Sequence, residues 1–245
     1  MRFKLHRILA GLALALMATL ATAQAPAPEV TIRKNLGERI PQMQKIDEVT
    51  RSAMPGLFEV RVNGMDIFYT DAEGNYLIQG SLIDTRQRRN LTEERVEKLS
   101  AINFDALPLK DAFTIVRGTG KRKLAVFEDP NCGYCKRFER DLQKVDNVTI
   151  HMFLYPILGP DSTEKSKNIW CSKEPAKAWL DWMVRDKAPA AASGTGCDVA
   201  ALARNVELGR KHKISGTPTL LFADGLRVPG AVSSAQVEKY LADAK

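Results

Sequence analysis

Cys132 and Cys135 are the residues whose type and spacing most directly specify a chemistry. Thiol–disulfide exchange needs a thiolate that attacks a disulfide and a second thiol close enough to break the mixed intermediate. The run Cys132-Gly133-Tyr134-Cys135 supplies both if it opens a helix. A cysteine at a helix start faces unpaired backbone N–H groups and the positive end of the macrodipole, so its pKa falls below the free-thiol value of ~8.5. Cys132 is therefore read as the accessible attacking thiol, and Cys135, one turn further in, as the resolving thiol. Gly133 keeps the turn open, and Tyr134 offers an apolar face beside the sulfur to a partly unfolded substrate. Lys136 and Arg137 follow and are expected to point to solvent.

Two other uses of such a pair are weighed against this one. A CxxC can be half of a zinc site, but Cys171 and Cys197 form no second knuckle, and His151 and His212 are isolated, so no metal site is expected. A purely structural disulfide across four residues is the second alternative, and the position between an apolar strand and a helix argues against it. For Cys171 and Cys197 a structural disulfide is the better reading and a second redox pair the alternative. Closing a loop of that length contributes about 3.5 kcal/mol in the chain-entropy model.

The elements around the motif follow from periodicity and punctuation. Leu124-Ala125-Val126-Phe127 reads as a buried strand, and Asp129-Pro130-Asn131 ends it. Phe138, Leu142 and Val145 then recur at helical spacing, which places the motif at a helix start. Phe113-Thr114-Ile115-Val116 and residues 148–155 read as further strands. Residues 162–212 carry helical signals with Pro175 at a start, and residues 219–228 make a hairpin around Asp224-Gly225. Val237, Tyr240 and Leu241 suit a closing helix. Nearer the N-terminus, residues 24–28 read as a frayed start, and Ile32, Leu36 and Ile40 suggest a short helix ending before Pro41. Residues 57–62 and 65–70 flank Asn63-Gly64, a strong hairpin signal. Residues 84–90 are a charged connector, and Asn90 with Glu93 resembles a cap for a helix over 91–101.

The chain has 245 residues and a formal net charge of +7. Its start, with Arg2, Lys4 and Arg7 before an apolar run and Ala21-Thr22-Ala23, reads as a secretory leader cleaved after residue 23. The apolar run is short of the ~20 residues that span a bilayer, which disfavours a membrane anchor. Losing three basic residues leaves about +4, dispersed and without interleaved aromatics, so no nucleic-acid partner is implied. All four cysteines lie in the mature part, as suits an oxidising compartment.

Around the cysteines the chain carries an ordered series of motifs. FEDPNCGYC over residues 127–135, Trp170-Cys171 with Ala176-Lys177-Ala178, Cys197-Asp198, and Ile214-Ser215-Gly216-Thr217-Pro218 occur in this order. The chain resembles the bacterial periplasmic disulfide isomerases of the DsbC/DsbG family, with its CGYC centre nearer the DsbC branch. The resemblance implies an α+β architecture: a small N-terminal helix-plus-antiparallel-sheet dimerisation domain, a connecting helix, and a C-terminal thioredoxin-like α/β domain with a helical insertion near 160–212. The expected boundaries are 1–23 for the signal peptide, 24–85, 86–110 for the linker, and 111–245. It further implies a V-shaped homodimer with two CGYC centres facing a cleft, and a cis Thr217–Pro218 bond beside the motif, where Thr217 and Pro218 would meet substrate. On the residues alone, Pro218 could simply begin a strand. A membrane thiol reductase of the DsbD type and misfolded disulfide-containing exported proteins are the implied partners, with no cofactor.

One position departs from the thioredoxin pattern. Thioredoxin buries an acid six residues before its first motif cysteine, and here that position is Val126; Glu128 and Asp129 are out of register with it. The proton acceptor for Cys135 is thus unassigned by sequence. Gly133-Tyr134 carries no group that ionises near neutrality, which with the extra N-terminal unit favours isomerase over dithiol oxidase. A non-catalytic holdase chaperone is the alternative from another class.

Overall fold

The computed structural model of the chain describes residues 26–43, 45–192 and 196–244. The expected leader, residues 1–23, lies outside the described residues. The chain divides into two compact units, one holding the residues up to Val60 with Phe68–Ile78, the other Arg61–Ile67 with Gln79–Lys245.

Helix α1 spans Pro28–Arg39 and buries Ile32 and Leu36, one turn apart. Pro28, read as part of a frayed start, is already helical, because the first turn has no use for a backbone N–H. Strand β1, Ile46–Arg51, was hidden from the sequence reading: its buried residues, Ile46 and Val49, do not alternate. Strand β2, Phe58–Val62, does alternate, burying Phe58, Val60 and Val62. Asn63 and Gly64 both take positive φ, 53° and 84°, and turn the chain into β3, Asp66–Thr70. With β4, Leu77–Ile78, the sheet order is β1-β2-β3-β4.

The charged connector is partly regular. Ile83–Asp84 (β5) pairs antiparallel with Arg89–Asn90 (β6). Helix α2, Leu91–Ser100, starts on Asn90, whose side chain accepts the Glu93 N–H at 3.1 Å.

The C-terminal part is built on a five-stranded sheet. Its strands are β7 (Phe113–Arg117), β8 (Arg122–Glu128), β9 (Val148–Leu154), β10 (Thr219–Phe222) and β11 (Arg227–Pro229), in the order β11-β10-β8-β9-β7. β8 and β9 run parallel, and the other neighbours antiparallel. A parallel pair needs a crossover, and helix α3, Gly133–Leu142, provides it. Helices α4 (Pro160–Trp170), α5 (Pro175–Arg185) and α6 (Ala200–Lys211) lie between β9 and β10, and α7 (Ser234–Asp243) closes the chain.

Side chains on β8 alternate between two cores. Leu124 and Val126 join Phe138 and Leu142 of α3, Trp179 and Met183 of α5, and Val237 and Leu241 of α7. Ala125 and Phe127 join Phe104, Phe153, Tyr155, Ile214 and Leu221 on the other face, with Phe127 stacked on Phe153 at 4.8 Å. Burying a side chain of this size contributes about 1.5–3 kcal/mol, so β8, apolar on both faces, anchors the motif that follows it.

Candidate active site

After β8 the chain turns sharply through Asp129-Pro130-Asn131 into α3. The turn is held from both sides. The buried Asp129 carboxylate accepts the N–H groups of Asn131 (2.8 Å), Ile157 (2.8 Å) and Leu158 (3.0 Å) and the Ser162 hydroxyl (2.7 Å). The Trp182 indole N–H donates to the Pro130 carbonyl at 2.6 Å, and Cys132 N–H to the Asp129 carbonyl at 3.0 Å. Backbone and side chain of Asp129 thus fix the approach to the motif.

Cys132 is the N-cap residue of α3, and its sulfur accepts the backbone N–H of Cys135 at 3.2 Å. As a thiol it donates to the Thr217 carbonyl at 3.3 Å. The pKa of Cys132 falls to about 6, chiefly through the hydrogen bond from the Cys135 thiol and then through the Thr217 hydroxyl and the Cys135 and Tyr134 N–H groups, against the opposing effect of burial. Ionised sulfur at a helix N-terminus gains from every one of these donors. Cys135 is fully buried, and that burial pushes its thiol far above the ordinary range. The two cysteines are free thiols with opposite acidities, set by a difference of one helical turn in depth.

Cys132 is less open than the sequence suggested: only 6% of it is exposed. The Thr217–Pro218 peptide is cis, and its Thr217 carbonyl stands over the sulfur. Pro218 itself is buried, and Gly216 and Ser215 are exposed. Gly133 is exposed with nothing within 4 Å of where a Cβ would stand, so the entrance beside the sulfur is open on that side. Tyr134 is exposed, with the Arg137 guanidinium 5.0 Å from its ring centre. Lys136 does not point to solvent: it pairs with Asp186 at 2.8 Å and lies 3.6 Å from the Trp182 ring centre. Its charge is spent there.

The reading that set Glu128 aside is corrected by strand geometry. Leu124 and Val126 face the core that α3 covers, so Glu128, two residues beyond Val126, faces it too. Glu128 is fully buried, and so is Glu139, four residues after Cys135 on the same helical face. The Trp179 indole N–H donates to Glu139 Oε1 at 2.8 Å. Both Glu128 oxygens and Glu139 Oε2 are buried away from any ordinary donor. Burial first, then the neighbouring Glu139 charge, hold Glu128 well above the usual carboxylate range. Burial also raises Glu139, with Trp179, Glu128 and the Arg117 charge pulling the other way. The signal was present in the sequence as the alternation 124, 126, 128.

Cys171 and Cys197 are joined in a disulfide with Cα atoms 5.5 Å apart. Cys171 follows α4, and Cys197 precedes α6. The Trp170 indole donates to the Asp198 carbonyl at 3.0 Å beside the bridge. Among the described residues no group of three or more His, Cys, Asp and Glu side chains is arranged to hold a metal, and no helix is long and apolar enough to cross a membrane.

Comparison with known proteins agrees with the geometry in both parts of the chain. Residues 21–93 match the model of the disulfide bond isomerase protein N-terminal domain, and residues 109–245 that of a thioredoxin-like domain. The chain is 47% identical over 222 residues to the probable thiol:disulfide interchange protein DsbC of Bordetella parapertussis, covering 90% of this chain and 77% of that one. It is 28% identical over 205 residues to the thiol:disulfide interchange protein DsbC of Escherichia coli K12, covering 80% and 81%. Among solved structures, a disulfide interchange protein from Neisseria gonorrhoeae aligns with a TM-score of 0.52 at 39% identity, covering 56% of this chain and 98% of that one.

Proposed function

The chain belongs to the DsbC family of thiol:disulfide interchange proteins, and from that premise we propose that it rearranges non-native disulfides with Cys132 as nucleophile and Cys135 as resolving thiol. The observation that carries the assignment is the placement of the two sulfurs, Cys132 at the N-cap of α3 accepting the Cys135 N–H and Cys135 fully buried one turn further in. With its pKa near 6, Cys132 is a thiolate at neutral pH, while buried Cys135 stays protonated until called on.

The Cys132 thiolate attacks one sulfur of a wrong disulfide, forming a mixed disulfide and releasing a substrate thiolate. A second substrate thiol then attacks and leaves the substrate correctly paired. When that stalls, Cys135 attacks Cys132, releasing reduced substrate and a Cys132–Cys135 disulfide. Electrons pass between sulfur atoms throughout, so the reading calls for no cofactor and no metal. Gly133 leaves room for the incoming chain, and exposed Tyr134 gives it an apolar surface. The Thr217 and Pro218 segment borders the sulfur and would pair with substrate backbone. The Cys171–Cys197 bridge serves structure.

The same reading makes residues 24–85 a dimerisation domain, residues 86–110 a linker and residues 111–245 the catalytic domain of a homodimer. Export through a leader cleaved after residue 23 would place it in the periplasm, among misfolded exported proteins, where a membrane reductase of the DsbD type would return Cys132 and Cys135 to dithiols. Gly133-Tyr134 and the N-terminal domain support isomerase over oxidase, and chaperone-like holding of substrate is compatible with both. Refolding of a scrambled multi-disulfide protein tests the assignment. Recovery should depend on Cys132, and recovery that survives Cys132→Ala would overturn it.

A further inference from the structure

The resolving step leaves one chemical requirement open. Cys135 must lose its proton to attack Cys132, yet its sulfur is fully buried and water cannot reach it freely. The group that faces it is Glu128. Strand β8 ends there with its side chain on the α3 face, and α3 presents Cys135 and Glu139 on one stripe. All three side chains are fully buried, and three of the four carboxyl oxygens have no ordinary donor. Two carboxyl groups that close and that dry cannot both ionise, so they keep a proton between them. The charged groups bordering the pair are Cys132 before α3 and Arg117 from β7; α5 contributes the Trp179 indole, and β9 the apolar Leu154 opposite Glu128. Desolvating two acids costs free energy, and the Trp179 indole satisfies only one of their four oxygens.

We propose that Glu128 accepts the proton of Cys135 when the mixed disulfide resolves, and that Glu139 is the positioning residue that holds one proton within the pair. This rests on the roles proposed above for Cys132 and Cys135. In the resolving step the Cys135 sulfur bonds to Cys132, the Cys132–substrate sulfur bond breaks, and its electron pair leaves on the substrate thiolate, which takes a proton from solvent. The Cys135 proton passes to Glu128, and the pair goes from one proton to two. When a dithiol reductant later attacks Cys132, Cys135 leaves as a thiolate and takes that proton back. The proton shuttles within the core over each cycle while the electrons move along sulfur. A like-charged pair raises the proton affinity of the acceptor toward that of a buried thiol, which is what efficient transfer needs.

Stopped-flow reaction of the reduced protein with 5,5′-dithiobis(2-nitrobenzoate) separates the steps. The first nitrothiobenzoate released reports attack by Cys132, and the second reports resolution by Cys135. In Glu128→Gln the first phase should stay within about twofold, while the second slows about 10²-fold at neutral pH and rises tenfold per pH unit as hydroxide takes over. Glu139→Gln should slow the second phase less and move its pH dependence lower, because the acceptor loses its charged neighbour. A Glu128→Gln protein whose second phase keeps the wild-type rate and pH profile would overturn the proposal, and an unchanged profile in Glu139→Gln would remove Glu139 from it. Absence of the first phase in wild type would instead strike the assignment of Cys132. If Glu128→Gln does not fold, the infrared difference between oxidised and reduced wild-type protein decides: a carboxylic acid C=O band that changes with redox state supports the shuttle, and its absence refutes it.

Discussion

The backbone N–H of Cys135 donates to the sulfur of Cys132 across 3.2 Å, so the resolving residue stabilises as a thiolate the same sulfur that it attacks once the mixed disulfide has formed. The helix that buries one sulfur is the helix that ionises the other.

That relationship sets a pH dependence for the nucleophile. Alkylation of Cys132 by iodoacetamide should rise with a midpoint near pH 6, well below a free thiol. Because the folded pKa is depressed, the stabilisation from the thiolate is fully present above the unfolded pKa of ~8.5 and is lost as pH falls through about 6. The thermal midpoint of the reduced protein should therefore climb between these limits relative to Cys132→Ser. A parallel pair of curves would contradict the depressed pKa.

Asp129→Ala tests the turn before the motif. The substitution strips the N–H groups of Asn131, Ile157 and Leu158 and the Ser162 hydroxyl of one shared, charged acceptor. Ser162 is fully buried while Ile157 and Leu158 are exposed, so chiefly the Ser162 hydroxyl is left without a partner, at a cost of about 1–3 kcal/mol. Urea unfolding should show that loss, and the Cys132 alkylation midpoint should broaden or move as the turn loosens.

The bridge in the helical insertion can be removed on its own. Cys171→Ala with Cys197→Ala should lower unfolding free energy by about 3.5 kcal/mol and leave nitrothiobenzoate release from Cys132 within about twofold. A large loss of that release at a temperature where the variant is folded would instead make the bridge part of the redox chemistry.

Gly209→Ala probes how α6 is seated. A Cβ at Gly209 would stand 2.4 Å from the Tyr155 ring, whose hydroxyl donates to the Ile214 carbonyl at 2.9 Å. Overpacking of this kind costs about 1–3 kcal/mol. Calorimetry should show a lower thermal midpoint, and Gly209→Ala combined with Tyr155→Phe should not recover it, since the ring carbons at 2.4 and 2.5 Å still clash once the hydroxyl at 2.6 Å is gone.

Much of this was determined by the sequence alone, for local reasons. Two cysteines three apart before Phe138 and Leu142 require a helix start, because the apolar spacing leaves Cys132 at the end of the stripe and puts Cys135 on it. Asn63-Gly64, Pro175 and Asn90 set their turns and caps by backbone preferences that need no partner. Strand β1 was invisible because Ile46 and Val49 are buried by neighbours on α1 and β2 and show no period of their own. Lys136 was misplaced for the same reason: Trp182 and Asp186, some fifty residues on, decide where it lies. Glu128 is the clearest case. Its residue type and its alternation with Val126 were readable, but the choice between a solvated and a buried carboxyl belongs to the helix laid across it. Only the tertiary structure joins the end of β8 to α3, removes water, and turns two ordinary glutamates into a buried pair whose proton affinities are raised, because desolvation acts on the assembled core and not on the chain.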